Sequence, residues 1–301
     1  MALDTVDTTL GAIEIGCLFS VFLFGVLCTQ AYAYSESFKQ TSYFTNGAVI
    51  LVWCLDLGQT ICVAHTTYTA TITWLANPRS VDELINVRSM PLAILFSILA
   101  EFAVRVVFIE RIRAFSGGRV VVALCYTASG LTLIGGIMIF AAAWASTTLS
   151  SLLLKWDWLL TATFSGIVVA DCLIAATLSY YLKQSARWLE RPSKIVDKLM
   201  LWTIETGLLT SCAALALLVC FQTMRQNYIH VSIYTVLPKL ITVYSNALLA
   251  LLNGRTTLRN ISDYDSSINV HGLEFTSTRN PTSGTSMPDR SFSSFKFNVT
   301  V

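Results

Sequence analysis

The residues with chemistry to offer lie where the chain is otherwise apolar. Asp56, Glu101, Arg105, Asp171, Glu205, Lys239 and Asn246 fall inside long hydrophobic runs. An ionisable group deep in a membrane segment costs several kcal/mol unless it faces the bundle interior and finds a partner. Glu101 and Arg105 are four apart with the acid first, the spacing and order that place an ion pair on one helix face, so they are expected to neutralise each other. Lys239 follows Pro238 in "VSIYTVLPKLITVYSNALLALLN" (231–253). It then needs an acid from another helix, with Asp171 and Asp56 the candidates by depth, and carbonyls freed by the proline add acceptors. The resulting network reads either as the polar lining of a ligand cavity or ion path, or as a set of bonds fixing helix register. Acids outnumber bases in this layer, so a protonated carboxyl or a small bound cation would balance it.

Other chemistries find little support. Zinc takes three or four ligands, and the histidines are only His65, His230 and His271, well separated along the chain. No metal site is expected. The sequence contains no G-x-S-x-G elbow, P-loop or G-x-G-x-x-G, so the expectation is a protein that is not an enzyme and carries no cofactor.

The elements that must position these residues follow from composition. Hydrophobic residues make up 54% of the chain and charged ones 13%, which excludes an ordinary soluble globule. A helix needs about 20 mainly apolar residues to cross a bilayer. Seven stretches qualify: roughly 10–34, 46–73, 91–110, 120–145, 157–182, 199–221 and 229–252. They lack the alternation of barrel strands, so the predicted fold is all-α, an integral membrane bundle of seven transmembrane helices. "MALDTVDTT" has acids and no base, unlike the basic start of a cleaved signal, and span one is expected to remain.

Basic residues decide the orientation. Lys39, Arg111, Arg113, Arg119, Lys183, Arg187, Arg191, Lys194, Lys198, Arg255, Arg259, Arg279, Arg290 and Lys296 fall on one side, and Arg79, Arg88, Lys155 and Arg225 on the other. The amino terminus is therefore expected outside and the carboxyl terminus in the cytosol. The predicted organisation is a short extracellular segment (1–9), the seven-helix domain (10–253) and a disordered cytosolic tail rich in Ser, Thr and Asn (254–301). The acceptor patterns at Asn260 and Asn298 lie in that tail and are expected to stay unglycosylated. All the cysteines fall within spans, where they act as small apolar packing residues. In "YYLKQSARWLERPSKIVDK", Lys183, Arg187, Arg191, Lys194 and Lys198 recur every three or four residues. They form a cytosolic basic face for lipid headgroups or a cytosolic partner, each cation adding about 1 kcal/mol near an anionic leaflet.

Several stretches together resemble a known family: "ADCLIAATLSYYLKQS" (170–185), "TIETGLLTS" (203–211), "YSNALLALLNGR" (244–255), "WCLDLGQTICVAHTTY" (53–68) and "FIERIRAFSG" (108–117). They are similar to the fungal, mainly basidiomycete, multi-pass membrane proteins carrying domain of unknown function 6534, over about residues 10–259. The resemblance implies a seven-helix membrane protein with no established activity. It also implies that Asp56, His65, Asp171, Lys239 and Asn246 stand at positions where similar proteins carry those residues. Glu205 stands where a neutral Asn is common, and Ile241, Thr242 and Val243 lengthen the usual spacing from the lysine to the Tyr-x-Asn.

The leading functional expectation is a receptor-like seven-helix sensor with a polar intramembrane cavity. The alternatives are a transporter, channel or lipid-handling protein, and a structural membrane scaffold. Its expected partners are membrane lipids, a small-molecule ligand and a cytosolic signalling protein, with no nucleic acid. Plasma membrane and endomembrane are not distinguished.

Overall fold

The computed structural model describes residues 10–35, 43–74, 81–115, 118–188, 211–223, 231, 233–237, 239, 240, 242 and 243, all within the unit Met1–Arg255. Among the described residues the secondary structure is helical apart from short connections, with no strand. In chain order these are α1 (Ala12–Ser35), α2 (Tyr43–Tyr68) running into a π-helical turn (Thr69–Thr73), a 3-10 helix (Val81–Asn86), and α3 (Ser89–Phe115). Then come α4 (Arg119–Ala145), α5 (Leu149–Lys155), α6 (Asp157–Trp188) and α7 (Ser211–Thr223), and the described residues from 231 to 243 are helical as well.

Five of these helices, α1 to α4 and α6, are long and apolar enough to cross a membrane. Even α1, with 24 residues, reaches about 36 Å at 1.5 Å per residue, against a hydrocarbon core of about 30 Å. The exposure pattern is inverted relative to a protein in water. Phe22 is 66% exposed and Leu131 70%, whereas Asp56 and Lys239 are completely buried. Such a surface is stable only against lipid. On α6, Trp158 stands beside the first residue and Tyr180 about two turns before the last, both exposed, and the 22 residue steps that separate them correspond to about 33 Å, comparable to the distance between the two headgroup layers where such rings are enriched.

The expected ranges of spans one to five agree with these helices to within a few residues. Of spans six and seven, α7 and the helical residues between 231 and 243 are described. Glu205, Asn246, Arg191, Lys194, Lys198 and the tail 254–301 lie outside the described residues.

Helix α3 occupies the centre and packs against α2, α4 and α6, while α1 packs against α2. Close approach at this centre depends on Gly135 and Gly136 of α4. A Cβ on Gly135 would fall 2.5 Å from Thr163 Oγ1 of α6, and one on Gly136 would fall 2.9 Å from Ile98 of α3. Small residues at a buried crossing let membrane helices gain van der Waals contact that lipid does not supply.

The segments 81–88 and 146–156, which lie between the expected spans, form a cap over one end of the bundle. Leu84 and Ile85 are buried with Leu149 and Leu152. Thr148 caps α5 by accepting from the Ser151 N–H at 3.3 Å. Asp82 accepts from both the N–H and the hydroxyl of Ser150 at 2.6 Å, and Asn86 donates to the Thr147 carbonyl at 2.8 Å. Arg88 donates to the Trp144 carbonyl and lies 4.5 Å from the centre of its ring.

Candidate functional site: a capped cavity above a buried polar seam

Positions 97, 101 and 105 of α3 recur every fourth residue, so Ser97, Glu101 and Arg105 share one face. That face is turned inward, and all three side chains are buried. At its deep end Arg105 Nε donates to Asp171 Oδ1 of α6 at 2.9 Å. Its Nη2 reaches Glu101 Oε2 at 3.4 Å, and its Nη1 donates to Thr132 Oγ1 of α4 at 3.3 Å. One guanidinium thus ties α3, α4 and α6 together. The fork geometry of Arg suits this, because its five N–H donors point in fixed directions.

The other end of the face meets α2 and the helical residues near 239. Lys239 Nζ donates to Gln59 Oε1. Gln59 Nε2 donates to Ser97 Oγ at 2.8 Å and to the Thr235 carbonyl at 3.2 Å. Ser97 donates in turn to the Ala93 carbonyl at 2.8 Å, which leaves its oxygen free to accept and fixes the orientation of the Gln59 amide. Asp56, one turn before Gln59 on α2, faces the charge of Lys239, and the Thr242 hydroxyl is its hydrogen-bonding neighbour.

Of the expected polar residues, Asp56, Glu101, Arg105, Asp171 and Lys239 are described, and their pairings differ from those expected. Glu101 and Arg105 do meet, as their spacing predicts, but Asp171 is the nearer acid to Arg105 and is not available to Lys239. Lys239 bonds a neutral amide, with Asp56 as its counter-charge. Depth along the helices placed these groups in one layer, but rotation about each helix axis decides which acid faces which base. Sequence reasoning missed Gln59, Ser97 and Thr132. The signal was available in the spacing, since Gln59 is three residues after Asp56 and Ser97 four before Glu101.

Above the seam lies an internal cavity of about 110 Å³. Its walls are largely apolar, with Ile94, Ile98, Leu153, Leu160 and Phe164 among them, and the cap contributes Leu84, Ile85, Leu149 and Leu152. Its polar side is formed by Gln59, Ser97, Glu101, Arg105 and Thr132, with Thr67 higher on the wall. Thr67 Oγ1 and Glu101 Oε1 are buried without a hydrogen-bond partner. Few convergent polar groups on an apolar, concave lining are what small-molecule sites have in common.

The remaining expected site residues stand apart from the cavity. Lys183 is exposed near the far end of α6, and Arg187 lies one turn further along the same helix. His65, weighed above as a metal ligand, hydrogen-bonds through Nδ1 to Ser89 Oγ at 2.9 Å.

Residues 167–257 match a family of unknown function (DUF6534). The matched stretch is less than a third of the chain and contains Asp171, Lys239 and Asn246, together with three of the five stretches quoted for the resemblance. No curated protein and no solved structure matches the chain.

Proposed function

We propose that this membrane protein is a seven-helix sensor, with its amino terminus outside and its carboxyl terminus in the cytosol, that holds a small molecule in the capped cavity. The observation that supports this reading most is the union of that cavity with the buried seam. Ligand-sized space opens onto Glu101 and Arg105, and these side chains link three helices. A molecule settling on the polar side changes the balance of bonds among α3, α4 and α6, which is the differential contact a ligand needs to shift a helix bundle between arrangements. The cap, held by side-chain bonds from Asp82, Asn86 and Arg88, serves as the door. The basic face beginning at Lys183 and Arg187 lies at the opposite end of α6 and would present the response to a cytosolic partner.

Hydrogen exchange of the protein in nanodiscs, with and without a ring-sized apolar ligand such as cyclohexylmethanol, tests the sensor reading. Protection should change around the cavity and also at the far ends of α3 and α6. Changes restricted to the cap and cavity walls would count against signal transmission.

A further inference from the structure

Acids outnumber bases beside the cavity. Glu101 and Asp171 share the single guanidinium of Arg105, while Asp56 is offset by Lys239. With both Glu101 and Asp171 ionised, the described seam is one positive charge short at its α3 end. Glu101 is 4% exposed, forms part of the cavity wall, and uses only Oε2 on Arg105, so Oε1 is an acceptor without a donor. Asp171 Oδ2 is also without a donor. A buried carboxylate oxygen without a donor costs at least as much as a lost hydrogen bond to a charged group.

The space next to this acceptor is specific in size. A cavity of about 150 Å³ lined by Leu, Ile and Phe takes up benzene in another protein. Here about 110 Å³ is walled by the same residue types, a space on the scale of a small apolar body.

We infer that the cavity takes a small amphiphilic amine, whose ring-sized apolar body lies among Ile94, Ile98, Leu160 and Phe164 and whose protonated ammonium donates to Glu101. The inference rests on the cavity-sensor reading above and adds the chemical class of the ligand. The ammonium supplies both missing features, a donor for Oε1 and the absent positive charge. A neutral alcohol supplies only the donor, and a carboxylate would add a second uncompensated acid.

Three probes of one shape separate these cases: cyclohexylmethylamine, cyclohexylmethanol and cyclohexanecarboxylate, titrated into the protein in nanodiscs and followed by tryptophan fluorescence. Empty nanodiscs correct for partitioning. The amine should bind at least about tenfold more tightly than the alcohol, as expected when a hydrogen bond becomes charge-assisted, and the carboxylate should bind weakest. In Glu101→Gln the amine should lose its advantage while the alcohol still binds. In Ala93→Leu, which fills the cavity from its wall, all saturable binding should disappear. Equal affinity of amine and alcohol in the wild type would overturn the amine assignment while leaving the cavity reading intact, and so would preference for the carboxylate or retention of the amine advantage in Glu101→Gln. No saturable binding of any probe, or binding unchanged in Ala93→Leu, would overturn the cavity reading itself.

Discussion

Replacing Arg105 with methionine would leave Glu101 and Asp171 as two buried acids with no counter-charge. Breaking a buried ion pair from one side costs about 3–5 kcal/mol, so Arg105→Met should unfold in detergent at a clearly lower temperature than the wild type. Adding Glu101→Gln and Asp171→Asn to the same chain should restore a large part of that loss, because the uncompensated charges are gone. Equal instability of the single and triple variants would mean that Arg105 matters for packing alone. The same logic separates Lys239 from Asp56. Lys239→Met should be rescued in part by Asp56→Asn, with a coupling energy of about 1 kcal/mol or more in a double-mutant cycle. Independent effects would show that the two charges do not sense each other. At this scale the sequence revealed which residues are costly to bury, because ionisable types in apolar runs are conspicuous. It did not reveal their pairing. Lys239 was expected to face Asp171 or Asp56; Asp56 is its counter-charge, while its hydrogen bond goes to Gln59, a neutral residue that carries no charge signal to draw attention to it.

Among the elements, the crossing of α3 with α4 and α6 is the least tolerant of added volume. Gly136→Val would drive a side chain into Ile98, and overpacking of this kind costs about 1–3 kcal/mol. Thermal unfolding should show that loss, whereas Gly130→Val, where a Cβ meets nothing within 4 Å, should be nearly silent. Equal effects at the two positions would place the tight crossing elsewhere. The cap has a kinetic role in this account. Asp82→Ala removes both bonds to Ser150 and should speed dissociation of a cavity ligand several-fold in stopped-flow fluorescence, with little change in overall stability. An unchanged off-rate would make the cap structural only. The long helices were legible because a span of apolar residues has few other stable forms in lipid. The cap was not, since "VDELIN" and "LSSLLLK" are too short to carry a reliable period and become helical by burying Leu84, Ile85, Leu149 and Leu152 against one another.

For the whole molecule, the excess of Lys and Arg on alternate connections predicts the orientation. A tag at the amino terminus should be labelled from outside sealed right-side-out vesicles, and one at the carboxyl terminus only after permeabilisation. The reverse pattern would invert the sensor. The membrane character was plain from composition, and five helices able to span the bilayer agree with it. The cavity was expected only as one of two meanings of the buried charges. It became visible when the walls from α2 to α6 and the cap were placed around Glu101, an arrangement that depends on helix rotation and on no local sequence pattern. Native mass spectrometry of the protein in lipid nanodiscs, wild type beside Ala93→Leu, shows whether the cavity is occupied. A reproducible bound molecule of ring-like size should appear on the wild type and be missing from the filled variant. Bulk lipids alone on both proteins, with the bundle intact, would contradict occupancy of the cavity.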